Sequence, residues 1–293
     1  MPTEALQRKI KVTGELREIV SNMKTLSSVS ILQYERANAS LEKYQKNLRD
    51  AFLALSLHNG VPKITISEQK KKKYLLLLIG SDNGMVGRFN KEVVEEVKRY
   101  LKKNNIKTSE VSCITIGKRV GMLAEQAKFP LYAGYGMANS VKSVTLLAET
   151  LILKLDEATR KHDFTDVILF YHQRKSHGNV GNEQRKIIPF DPSGFKYLKK
   201  QKWETNNIPM VAADYGKMFA ALVNEALIIT ISKSLHASLA AEHFTRMTNM
   251  QNAEKNIDEN LEEMNLLYQQ QRQDEITDEL IDVISGANAM RKA

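Results

Sequence analysis

The sequence predicts an α/β chain: a long antiparallel coiled coil built from the N- and C-terminal helices, with a central α/β domain on a mostly parallel sheet. Three observations carry this reading. After Pro209 no proline occurs and only Gly216 precedes Gly286, so a helix over most of that stretch would run roughly 100 Å. The first 58 residues repeat the pattern, with Pro2 at the start and only Gly14 inside. Between these ends, apolar strand-like runs alternate with amphipathic helical ones. The expected organisation is an N-terminal helix over 1–60, a central domain over 61–209 and a C-terminal helix over 210–293.

Steps of three and four residues along the first helix give Leu6, Ile10, Thr13, Leu16, Val20, Met23, Ser27, Ser30, Tyr34, Ala37, Leu41, Tyr44, Leu48, Phe52 and Leu55. All but Thr13, Ser27 and Ser30 are apolar or aromatic, and the mean step is that of a coiled coil. The two serines make a thin waist where another backbone can approach. His58-Asn59-Gly60, with Pro62 beyond, supplies the stop.

The central segment predicts strands at Tyr74–Ile79, Val111–Ile116 and residues 167–171, with helices over 91–103, 119–128 and 141–161. Such alternation argues for βαβ units and a Rossmann-like domain. Residues 183–190 add an edge strand, ended by Pro189 and Asp191-Pro192. Residues 193–209 read as a loop.

On the last helix the apolar stripe is Ile231, Leu235, Leu239, His243, Met247, Met250, Ala253, Ile257, Leu261, Met264, Tyr268 and Gln271. Its steps are longer on average than those of the first helix, so the stripe rotates and cannot keep one straight partner. The expected outcome is an irregular pair ending in a single-helix tip at the C-terminus.

The formal net charge is +9, and hydrophobic residues make up 42%. Disorder is thereby disfavoured. The net charge divides as +3 over 1–60, +12 over 61–209 and −6 over 210–293. No uninterrupted apolar run reaches the length of a membrane span. The N-terminus lacks an apolar signal core. Cys113 is the lone cysteine, which excludes an internal disulfide framework and reads as a small core hydrophobe in a reducing compartment. No GxxxxGK[ST] loop occurs. The Gly80–Gly87 stretch follows the first strand but misses the GxGxxG spacing, so it reads as a strand-to-helix turn with no cofactor. His172 and His177 flank an expected loop and read as solvated, since no Cys or carboxylate cluster completes a metal site. His243 reads as a seam or surface residue. The Lys70–Lys73 run reads as a solvated gatekeeper. No nucleophile–base set can be picked out, so no catalytic residue is assigned and no small-molecule substrate is expected. The basic middle lacks the aromatic interleaving of single-strand binders, so nucleic acid is not expected.

The final segment carries a resemblance. Ile276-Thr277-Asp278-Glu279-Leu280-Ile281-Asp282 through Gly286-Ala287 is similar to the C-terminal signature of F-type ATP synthase gamma subunits. Leu266-Leu267-Tyr268 with Arg272-Gln273, and Glu242, Arg246-Met247, Met250, Ala253 and Asn256 upstream, fall at that family's spacing. Ser81-Asp82-x-Gly84 through Gly87-x-Phe89-Asn90 resembles its glycine-rich turn. The resemblance covers essentially the whole chain and is tightest in the last fifty residues.

What it implies is a rotor shaft without catalytic residues of its own, coupling ion flow to ATP synthesis or hydrolysis at beta-subunit sites. Its implied partners are the alpha and beta subunits of the catalytic ring, the epsilon subunit and the ring of ion-carrying membrane subunits. Its implied place is peripheral, on the cytoplasmic face of a bacterial inner membrane. Carried over residue by residue, the partner-binding set is Arg272, Gln273, Ile276, Thr277, Glu279, Ile281 and Ile284, with Asn83 and Arg88 in the turn and Met23 on the first helix. Where the family turn reads Arg-Gly-Leu-Cys-Gly-Gly, this chain has Asn83-Gly84-Met85-Val86-Gly87-Arg88. The family's basic, alanine-rich run near the N-terminus is replaced by Ile19 to Ser28. These departures point to a divergent or second-copy subunit. The competing reading is a static coiled-coil scaffold, followed by an α/β cofactor enzyme and a nucleic-acid binder.

Overall fold

The computed structural model describes residues 3–59, 72–175, 178–190, 203, 207, 210–211 and 214–292. The chain divides into two compact units, one of residues 1–27 with 246–293, the other of residues 28–245. Helix α1 (Thr3–Asn59) and the last helix, α5 (Tyr215–Lys292), each contribute to both. The segments 60–71 and 191–202, which hold Lys70, Lys71 and most of the expected 193–209 loop, lie outside the described residues.

The larger unit is built on a five-stranded sheet in the order β3-β2-β1-β4-β5. Its strands are β1 (Tyr74–Ile79), β2 (Val111–Ile116), β3 (Leu131–Tyr135), β4 (Asp166–Arg174) and β5 (Val180–Ile188). The first four run parallel and β5 pairs antiparallel to β4. Helices α2 (Phe89–Lys103), α3 (Lys118–Gln126) and α4 (Val141–His162) provide the crossovers. Ser140 caps α4, its hydroxyl accepting from the Ser143 amide at 3.2 Å.

A parallel strand covered on both faces has no polar side to show, which is why β1 reads as an unbroken apolar run. Leu75, Leu77 and Ile79 face one cluster, with Val144, Ala148 and Leu151 of α4 and Ile231, Leu235 and Leu239 of α5. Leu76 and Leu78 face the other, with Val93 and Val97 of α2 and Val120 of α3. Cys113 lies fully buried there, and burial pushes its thiol up to about 12. A third cluster joins Leu48, Phe52 and Leu53 of α1 to Ile229 of α5, with Phe190, Phe219 and Leu222 packed against it.

Two expectations are corrected. Strand β3 was not foreseen: it has five residues, includes Ala133 and Gly134, and follows Pro130, so its existence depends on pairing with β2. His172 is not a solvated loop residue. Strand β4 continues through Arg174 because β5 pairs with it, His172 opposite Asn182, and this places the ring at 0% exposure. His177 lies outside the described residues. The early part of α5 contains a window of mean hydropathy 1.4, long and apolar enough by composition for a span. It is no uninterrupted apolar run, since Asn224, Glu225 and Lys233 fall in it, and 28% of the window is buried. Ser232, Ser234, His236 and Ser238 are buried together with Ile229, Ile231, Leu235 and Leu239.

Within this unit α1 and α5 pack antiparallel. Tyr34 stacks on His243 at 5.7 Å, and the Lys233 ammonium donates to Gln45 at 3.0 Å. His243 therefore lies in the seam. Tyr44 is 47% exposed rather than in the seam; its hydroxyl bonds Glu225 instead.

In the smaller unit the same antiparallel sense holds, with ion pairs Arg17–Asp258 and Lys24–Glu254 and a contact from Thr3 to Glu275. Leu6, Val20, Ser27, Met250 and Met264 are buried between the helices. Leu16 leaves the seam, 49% exposed. A stripe of heptad period facing one that drifts loses register locally, and Leu16 falls where it does.

Candidate partner-binding surfaces

The smaller unit holds most of the expected site. Thr3, near the start of α1, reaches Glu275, so α5 beyond that point has no α1 residue beside it within this unit. There Ile276 is 47% exposed, and Leu280, Ile281, Val283, Ile284 and Met290 are exposed further. Advancing 100° per residue gathers Ile276, Leu280, Val283, Ile284, Ala287 and Met290 on one face. Asp274, Glu275, Asp278 and Asp282 take the opposite one, with Glu279 at its edge. Arg272 and Gln273 stand exposed at the start of the apolar face, and among the described residues neither side chain forms an ion pair or hydrogen bond. Thr277 turns its hydroxyl back onto the Gln273 carbonyl at 2.8 Å. An amphipathic helix end with an uncovered apolar face is a surface awaiting a partner.

Met23 is half-buried between the helices, a seam residue with a limited outward face. A stripe the sequence reading passed over lies on α1: Val12, Leu16, Ile19 and Leu26 are exposed by 58%, 49%, 56% and 68%. Their spacing of four, three and seven is itself a heptad signal, hidden because the stronger seam beside it was taken as the whole pattern.

The larger unit holds Asn83 and Arg88. Gly80 must be glycine, because a Cβ there would lie 2.4 Å from the Asn90 amide oxygen and 2.5 Å from Val120. Asn90 closes the turn, accepting from the Ser81 amide at 2.8 Å and donating to its hydroxyl at 2.8 Å. The Ser81 hydroxyl donates to the Asn83 carbonyl at 2.9 Å. The Asp82 carboxylate accepts from the amide of Lys118, the first residue of α3, at 2.8 Å, and from that of Met137 at 3.0 Å. Arg88 is exposed and pairs with Glu95 at 3.3 Å.

In a sheet of this order the crevice between β1 and β4, at their carboxyl ends, is where a doubly wound fold seats a ligand. Here Val86 and Phe89 follow β1, Val180 lies opposite the end of β4, and Ala241 of α5, at 0% exposure, packs among them. The crevice is filled by the chain's own last helix.

His172 stacks on Phe89 at 3.9 Å, and neither ring nitrogen has a hydrogen-bond partner. Burial lowers its pKa to about 4, and Glu92, 3.7 Å away, is too distant for a hydrogen bond. His236 donates its Nδ1–H to the Ser232 carbonyl, 2.8 Å away, and burial lowers its pKa too. Among the described residues no cluster of three His, Cys, Asp or Glu side chains could hold a metal.

Comparison with known proteins agrees with this architecture over nearly the whole length. A family profile described as ATP synthase matches residues 3–290. The chain is 24% identical to a protein of Geobacter metallireducens named ATP synthase gamma chain, with 98% of each covered. It is 25% identical to one of the same name in Christiangramia forsetii, with 97% of each covered. Among solved structures, a chain of the Euglena gracilis mitochondrial ATP synthase, described as OSCP/F1/c-ring, superposes with a TM-score of 0.62 at 16% identity. That match covers 98% of this chain and 94% of the other. A chain of the Tetrahymena thermophila mitochondrial enzyme, described as central stalk/c-ring, gives 0.53 at 19% identity, covering 80% and 99%. At such identities these structures speak to the fold alone.

Proposed function

The chain belongs to the ATP synthase family, and from that premise we propose that it is the central rotor shaft of a rotary ATP synthase. It couples transmembrane ion flow to ATP synthesis or hydrolysis in subunits other than itself. The observation that carries this reading is the end of α5: an amphipathic helix with an uncovered apolar face and, at its base, Arg272 and Gln273 with no side-chain partner among the described residues. A shaft needs that arrangement. An apolar face slides past a surrounding sleeve at little cost, while an Arg fork and an amide make directional bonds to carboxylates or carbonyls.

The sleeve is the ring of alpha and beta subunits. The epsilon subunit and the ring of ion-carrying membrane subunits are the other partners, and the complex stands on the cytoplasmic face of a bacterial inner membrane. The chain is non-catalytic and acts by differential contact. An asymmetric shaft favours a different conformation in each otherwise equivalent site, and turning it passes those conformations around the ring. Met23, Asn83 and Arg88, with Arg272, Gln273, Ile276, Thr277, Glu279, Ile281 and Ile284, supply the contacts. Arg88 exchanges Glu95 for an acidic segment of a partner.

The test is co-purification with the cognate alpha and beta subunits, followed by ATP turnover and ATP-driven ion pumping with and without this chain. A rotor is required for pumping. A static scaffold would dock in one orientation and leave turnover unchanged, and that result would refute the proposal.

A further inference from the structure

Within the larger unit, Tyr34 is the one α1 residue, among the described residues, in the cluster that packs α4 and α5 on the sheet. Its ring is 4% exposed and lies between two imidazoles, His243 at 5.7 Å and His236 at 6.1 Å. Those histidines are one heptad apart on α5, roughly 10 Å along its axis. One turn to either side of Tyr34 on α1, the inward-facing residues are Ile31, itself buried, with half-buried Ser30, and Ala37. None of them carries an aromatic ring, so a one-turn slide of α1 would lose the ring contacts to both imidazoles.

The next residue, Glu35, binds the Arg174 guanidinium at 2.7 Å, at the end of β4. That guanidinium also lies 4.7 Å over the ring of Phe244, the neighbour of His243. Two consecutive α1 residues are thus held by α5 and β4 together. Successive side chains leave a helix about 100° apart. A helix held by one side chain can roll about it; held by two in different directions, it can neither slide nor roll.

We propose that Tyr34 and Glu35 of α1, Arg174 of β4 and the His243–Phe244 pair of α5 form a clamp that sets the axial register and roll of α1 against α5 and the sheet. Under the rotor reading, on which this consequence rests, twist carried by α1 passes into the α/β domain at this clamp. The five side chains are positioning residues that touch no reacting group.

The experiment uses the full chain with cysteines at Gln45 and Lys233, whose side chains meet at 3.0 Å. The rate of disulfide trapping reports their effective concentration and hence the register. Tyr34→Phe keeps the ring and should trap at the parent rate. Tyr34→Ala should trap about tenfold more slowly as the effective concentration falls. Should Tyr34→Ala fail to fold, Glu35→Ala carries the test, since loss of a half-exposed ion pair leaves the fold intact. It should slow trapping, and the exchange Glu35→Arg with Arg174→Glu should restore it. Parent-like trapping in Tyr34→Ala or in Glu35→Ala overturns the clamp. The same variants, assembled with the catalytic ring and membrane sector, should move fewer ions per ATP hydrolysed, again restored by the exchange. Slowed trapping with undiminished pumping overturns transmission through the clamp. Pumping that does not need this chain at all overturns the rotor reading and leaves the trapping result standing.

Discussion

Replacing His172 with leucine should make the larger unit less sensitive to acid, and the size of the effect follows from the site. His172 is fully buried, its ring nitrogens have no hydrogen-bond partner, and burial holds its pKa near 4 against an ordinary 6.5. Above the ordinary value the ring is neutral folded or unfolded, so its titration costs nothing. As the pH falls below 6.5 the unfolded chain takes up a proton that the folded chain refuses, and stability drains away until the folded value is reached. The whole shift corresponds to about 3 kcal/mol, and about 2 kcal/mol of it is lost between pH 7 and pH 5. Among the described residues Glu92 is the acidic group facing the ring, at 3.7 Å, and its side chain is 42% exposed, so water screens its help to the cation. Leucine has a similar bulk and no titration. The measurement is urea unfolding of the full chain at both pH values, followed by pulsed labelling of Cys113. That thiol is buried in β2 and reports opening of this unit rather than of the other. The parent should lose about 2 kcal/mol more than His172→Leu over that interval. Parallel losses in parent and variant would show that the ring is protonated at no cost, and the argument from burial would fail.

Replacing Arg272 and Gln273 together by alanine should lower ATP turnover of the assembled complex roughly tenfold, the scale of two lost directional bonds, while circular dichroism of the isolated chain is unchanged. Unchanged turnover would remove the assigned contact. Truncation after Ile276 should impair ATP-driven pumping while urea unfolding followed at Cys113 stays at parent values; a shifted Cys113 midpoint would show that the tip supports the fold. Gly80→Ala should destabilise the larger unit by about 1–3 kcal/mol, the usual range for overpacking, because the new methyl would meet Asn90 and Val120. A urea midpoint equal to that of the parent would show that the turn relaxes around it.

The parts of this fold that were legible from residues alone are those where local pattern and tertiary environment agree. β1 and β2 match their expected ranges because a strand buried on both faces reads as a nearly continuous apolar run, broken in β2 only by Ser112 and Thr115. All twelve expected seam positions of α5 are buried or half-buried, since a long helix must commit one stripe to a neighbour. What escaped depended on partners distant in sequence. β3 exists through its pairing with β2. His172 follows an apolar run and precedes a turn, so locally it looks like a strand end; only the pairing with β5 carries β4 past it and under Phe89. Leu16 and Tyr44 fit the heptad count and still left the seam, because one helix's count says nothing about the drift of the other. The resemblance points to contacts in the stretch from Arg272 to Ile284, whereas the exposed α1 stripe from Val12 to Leu26 is legible in its spacing alone.

The filled crevice explains how a sheet of this topology can serve a mechanical part. In a doubly wound domain the first strand-to-helix turn and the gap between β1 and β4 form a natural pocket, and leaving it open invites a phosphate to the helix N-termini there. Here the Asp82 carboxylate already takes the amide that opens α3, so the negative charge at that terminus comes from the chain itself. Ala241 closes the gap with Val86, Phe89 and Val180, and only a small residue can bring the α5 backbone so near the turn. The place where a related architecture would bind a ligand is used here to seat a helix. The glycine-rich turn, which on sequence alone faintly suggests a cofactor loop, belongs to that seat: Gly80 admits Asn90, Asn90 locks Ser81, and the locked turn presents Val86 to Ala241. An enlarged side chain at position 241 would therefore act on α5 and the turn together, and Ala241→Leu should destabilise the larger unit more than Gly80→Ala when both are measured by urea unfolding. A smaller effect would mean that the crevice has room to spare, and the seat would have to be placed elsewhere along α5.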